Sequence, residues 1–78
     1  MSVTYYVVLP YGRNEEGDLV AGEGQQAPSA AAARSKAVSL STQYAGVVAF
    51  SREANLSTGE YEPAVLIARF GQTPDVPD

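Results

Sequence analysis

The chain has 78 residues, nine acidic against five basic side chains, a net charge of −4, and no cysteine, histidine or tryptophan. That composition excludes disulfides and thiolate metal sites, leaves no histidine to activate a nucleophile, and opposes non-specific nucleic-acid binding, which needs clustered cations. The length fits one small domain that buries only about 60% of its unfolded surface, so its core is slight and a partner would enlarge it.

Residues 3–9 read as the strongest strand, rich in the β-formers Val, Tyr and Thr. Val3, Tyr5, Val7 and Leu9 alternate with Thr4, Tyr6 and Val8, and both faces are largely apolar, as in a central strand covered on both sides. Pro10 is expected to end it or to sit where no ladder hydrogen bond is needed. Residues 12–17, G-R-N-E-E-G, form a turn between two glycines. Residues 18–25 return as a weaker second strand, with Gly22 and Gly24 marking an edge or a bulge.

Residues 29–45 read as the one helix. Ala30 to Ala33 carry the highest helix propensity, Pro28 forbids an earlier start, Ser29 can cap the first turn, and Gly46 suits the residue after the last. Ala30, Ala33, Ala37, Leu40, Ser41 and Tyr44 fall on one stripe, so the helix is expected to lie close on a sheet with Leu40 and Tyr44 as its larger anchors. The stripe is too poor in large apolar residues for a membrane-surface helix.

Residues 47–53 form the third strand, with Val48 and Phe50 on one face and Val47 and Ala49 on the other. Asn55 to Gly59, N-L-S-T-G, is a hairpin loop. Residues 61–70 form the fourth strand, Leu66, Ala68 and Phe70 facing one side and Val65 and Ile67 the other. The fold class is therefore α+β, a ββαββ chain with a mainly antiparallel four-stranded sheet and one helix packed on one face. A strand order of 2-1-3-4 makes every pair antiparallel and centres the first strand. A β-α-β-β fold, with residues 12–28 as a loop, is the alternative, and so long a structureless loop is unusual. Residues 1–71 make the domain, and residues 72–78, G-Q-T-P-D-V-P-D from Gly71 on, end in a polar, proline-rich flexible tail.

Candidate chemistry is sparse. The glycines of A-G-E-G-Q-Q-A-P-S precede a helix but lack the spacing of a phosphate-binding loop, and Glu23 would repel an anion. Glu15, Glu16 and Asp18 make a solvated acidic turn with too few ligands for a divalent cation. Glu60 and Glu62 share a strand face without an activating neighbour. Ser35 and Lys36 are adjacent on the helix and point apart. Five tyrosines recommend base stacking only on a basic surface, and Arg13, Arg34, Lys36, Arg52 and Arg69 are scattered. No catalytic, metal or cofactor residue is assigned, and the chain is read as a non-enzyme; a small enzyme or ligand-binding domain run by carboxylates and tyrosines is the alternative.

Three stretches, G-V-V-A-F-S-R at 46–52, T-G-E-Y at 58–61 and A-R-F-G at 68–71, resemble short uncharacterised bacterial proteins of unknown function. The resemblance implies a bacterial cytoplasmic origin and no site residues. The N-terminus also lacks the basic region and cleavage site of a signal peptide, and no segment matches a membrane-spanning helix.

One expectation concerns partners. A single helix covers one face of a sheet, yet the strands are apolar on both. With Val3, Tyr5, Val7 and Leu9 beneath the helix, the open face would hold Tyr6, Val8, Val47, Val65 and Ile67. That face would pack against a second copy, as a homodimer, or against another protein. No nucleic acid and no membrane is expected as partner. With the two faces exchanged, the surplus of apolar surface would remain.

Overall fold

The structure is a computed structural model that describes residues 1–74. The last part of the expected tail, residues 75–78, lies outside them.

The run of β-branched and aromatic residues at the start of the chain forms β1 (Ser2–Arg13), 12 residues long. The chain then makes β2 (Leu19–Ala21), β3 (Gln25–Ala27), α1 (Ala30–Leu40), β4 (Gly46–Asn55), β5 (Glu60–Tyr61) and β6 (Val65–Gly71). The fold is α+β, one helix with a curled antiparallel sheet of six strands. β1 and β4 lie side by side in its middle, paired from Ser2 opposite Asn55 to Tyr11 opposite Gly46. β2 and β3 lie along the outer side of β1; β5 and β6 lie along the outer side of β4.

Six strands appear where the sequence indicates four, because each outer strand is broken in two. Pro10 explains the first break. It lies inside β1 rather than at its end, and it has no N–H to donate. β3 pairs with Tyr6 to Val8 and β2 with Tyr11 to Arg13, so Pro10 falls opposite the interruption, where the Gly22 N–H donates to its carbonyl at 2.8 Å. The second break is at Pro63, between β5 and β6.

Both hairpin turns are built on an asparagine. Asn14 Oδ1 accepts from the backbone N–H of Glu16 at 2.9 Å and of Asp18 at 3.0 Å. Asn55 Oδ1 accepts from Ser57 at 2.9 Å. A side-chain oxygen that closes a local ring in this way competes with the strand ladder and turns the chain.

Ser29 caps α1, its Oγ accepting the Ala32 N–H at 3.1 Å. The helix ends at Leu40, earlier than alanine propensity indicates. The Ser41 hydroxyl donates to Val38 O at 2.6 Å and the Thr42 hydroxyl to Ser39 O at 3.0 Å. These side chains take over carbonyls at the helix end, and the next residues turn towards β4. Tyr44 consequently lies beyond the helix and is exposed rather than an anchor, whereas Leu40 packs against the core.

The core is small in both number and size. Val8, Ala27, Ala33, Ala37, Val47, Ala49 and Ala68 form it, with Tyr6, Ala32, Leu40, Ile67 and Phe70 packed around them. Alanines on the helix meet alanines on the strands, which brings the backbones close and leaves little apolar area to bury.

Candidate interaction surface

Register decides which side chains share a face. Val8 lies opposite Ala49, and Ala49 opposite Ala68; Pro10 lies opposite Val47, and Val47 opposite Phe70. These belong to the side where Ala33 and Ala37 of the helix pack. The other register positions carry Val3, Tyr5, Val7 and Leu9 on β1, and Val48, Phe50, Arg52 and Ala54 on β4.

The expected open face is therefore the helix side. Val8 and Val47 are 0% exposed and belong to the core, and Tyr6 and Ile67 are half-buried against it. Of the five residues expected to meet a partner, only Val65 is open to solvent, at 63%. Alternation along β1 defined two apolar faces without saying which one the helix takes. The missed signal is size. A helix whose stripe is alanine packs where the sheet is also small, at Ala49 and Ala68.

A second correction concerns β6. Ala49 pairs with Ala68, but Phe50 pairs with Leu66, so Ile67 is an extra residue. This bulge breaks the alternation. It brings Ile67 to the core beside Ala68 and Phe70, and sends Leu66 to the far face beside Phe50.

The far face is a row of half-buried apolar side chains. Val3, Tyr5, Val7, Leu9 and Phe50 all retain accessible surface, and Leu66 is 45% exposed. At one end, Tyr61 of β5 joins them opposite Ala54, with the Arg52 guanidinium 5.6 Å from its ring centre. Arg52 Nε also donates to Glu62 O at 3.0 Å.

The other end of that face is covered by the chain itself. Gly71 has φ 70°, a left-handed conformation open to glycine, and turns the chain back over β4. The Gln72 N–H donates to Ala45 O at 2.9 Å. Arg13 donates to Gln72 Oε1, and Arg69 Nε donates to Thr73 Oγ1 at 2.6 Å. Two arginines from either side of β4 thus hold residues 72–73 as a clip. Val48 and Tyr11, on this face, are buried at this end. Composition indicates a flexible tail over 72–78; within it, Gln72 and Thr73 are tied by these bonds.

The candidate chemical residues are dispersed. Glu15, Glu16 and Asp18 are exposed in the first hairpin turn, Glu60 and Glu62 are exposed near β5, and Ser35 and Lys36 are exposed on α1. Among the described residues no group of three carboxylates gathers to hold a metal ion and no pocket indents the surface. No helix among them is long and apolar enough to cross a membrane. No protein-family model, curated protein or solved structure matches the chain.

Proposed function

We propose that the chain is a small non-catalytic protein-interaction module whose contact surface is the sheet face turned away from the helix. The observation that carries this reading is the row from Val3 to Leu9 beside Phe50 and Leu66, apolar side chains that retain accessible surface on a broad face. Contiguous apolar surface of this kind is uncommon on proteins that act alone and fits a macromolecular contact better than a small ligand. The non-catalytic part rests on the sequence, which has no histidine or cysteine, and on carboxylates that lie apart and exposed. In this reading the helix is a structural cover and the sheet is the working surface. The setting, on the resemblance of residues 46–52, 58–61 and 68–71 to bacterial proteins, is a bacterial cytoplasm.

The test places a photoreactive benzoylphenylalanine at Phe50, and in a control at Lys36 on the exposed side of α1, in the chain expressed in its native cells. A discrete cross-linked product from position 50 alone supports the reading, and its mass separates a second copy of the chain from another protein. No product from position 50, or the same products from both positions, removes it.

A further inference from the structure

We infer that the uncovered sheet face takes an acidic, extended protein segment: an apolar centre flanked by carboxylates. This rests on the interaction surface proposed above and names its partner's chemistry. Arg13, Arg52 and Arg69 stand at register positions of this face, three of the five basic residues of a chain whose net charge is −4. Among the described residues their hydrogen bonds go to neutral oxygens. Arg13 donates to Gly17 O and Gln72 Oε1, Arg52 to Glu62 O, and Arg69 to Thr73 Oγ1 and O. The strand carboxylates lie at the opposite register positions: Glu53 pairs with Thr4, and Glu60 with Asn55. The face is thus cationic on an acidic protein.

The sign of that charge selects the occupant. Two copies stacked symmetrically on this face would bring more arginines and no strand carboxylate to it, and covering a guanidinium without a counter-charge is costly. Single-stranded nucleic acid supplies the counter-charge and can stack on Tyr5, Phe50 and Tyr61. Val3, Val7, Leu9 and Leu66 offer it no stacking surface, however. A protein segment with carboxylates and apolar side chains satisfies both the arginines and the aliphatic row.

Spacing makes the partner specific. Arg52 stands at the level of Tyr5, Phe50 and Leu66 at the level of Val7, and Arg69 at the level of Leu9. At about 3.4 Å per strand residue, the two arginines are about 14 Å apart along the face. An extended segment matches this with an apolar residue at its centre and a carboxylate two positions to either side.

The test uses synthetic peptides with Leu at the centre and Glu, Gln or Lys two positions to either side, and a single-stranded oligothymidylate. Each is titrated into the isotope-labelled chain while backbone amide shifts are followed. The Glu peptide is expected to shift the amides around Tyr5, Phe50 and Arg69, to bind at least tenfold more tightly than the Gln peptide, and to weaken as salt is raised. Arg52→Gln, which leaves the clip intact, is expected to remove most of that preference. Equal binding of the Glu and Lys peptides overturns the acidic partner while leaving the surface standing. Binding of the oligothymidylate alone reassigns the face to nucleic acid. If no peptide binds, the acidic partner falls, and the cross-linking at position 50 shows whether the surface falls with it.

Discussion

The Gln72 carbonyl occupies the place where a side chain on Gly46 would begin. A Cβ at position 46 would collide with it and would lie 2.8 Å from Thr73 Cγ2. Glycine is required there by what passes above it, since Gly46 itself begins an ordinary strand and has no positive φ.

Gly46→Ala should therefore lift the clip or strain it, at a cost of about 3 kcal/mol, the upper range for overpacking a site that cannot yield. For a domain of this size that is a fall of more than about 10 °C in Tm. The same substitution in a chain cut after Gly71, compared with the cut parent, should cost less than about 1 kcal/mol, because alanine is otherwise well tolerated in a strand. An equal loss in both backgrounds would mean that the clip is not what excludes the side chain.

The helix cap gives a smaller and more local expectation. Ser29 Oγ satisfies the Ala32 N–H, and no acidic residue lies in the first turn to share the task. Ser29→Ala should lower stability by about 1 kcal/mol, and Ser29→Asp should retain or raise it. Urea unfolding followed by circular dichroism would measure both, and an Ala variant as stable as the parent would contradict the cap.

How much of this was legible in the sequence depends on the kind of signal. Local chemistry was readable: the Val/Tyr/Thr run of β1, the Ala30–Ala33 run after Pro28 and Ser29, and the turn-forming stretches at 12–17 and 55–59 each act within a few residues. The far-face residues and the clip were not. Whether Val8 or Val7 meets the helix depends on Ala33, Ala37, Ala49 and Ala68 arriving together from three elements. The bulge at Ile67 depends on how β6 docks on β4, and it displaced the alternation that Leu66, Ala68 and Phe70 seemed to share. The clip depends on Arg13 reaching a residue at the other end of the chain. Helix length failed for a nearer reason: Ser41 and Thr42 count as neutral in propensity, yet their hydroxyls compete for the last carbonyls.

Val8 and Val65 both lie on the helix side of the sheet, but the helix covers only Val8, and that difference has a direct energetic signature. Val8 is fully buried among helix and strand alanines, and Val65 is 63% exposed. Val8→Ala should cost about 2 kcal/mol, from two lost methyl groups and the cavity they leave. Val65→Ala should stay within about 0.5 kcal/mol of the parent. Equal effects at the two positions would mean that the helix does not cover the side of β1 that carries Val8.

Leu66 separates stability from contact on the uncovered face. It is 45% exposed, stands beside Phe50, and lies outside the core cluster. Leu66→Asp gives up only the covered half of the leucine and leaves the core cluster intact, so its unfolding free energy should fall by about 1 kcal/mol. The same substitution places a carboxylate between Arg52 and Arg69, where the proposed segment would set its apolar centre. Cross-linking from position 50 should then disappear, and the Glu peptide should lose most of its affinity through repulsion and lost apolar contact. A variant that unfolds more easily by about 2 kcal/mol would show that Leu66 is covered within the single chain, and the working face would have to be sought elsewhere. A variant that loses only about 1 kcal/mol and keeps its cross-linked product would show that the contact does not use this part of the sheet.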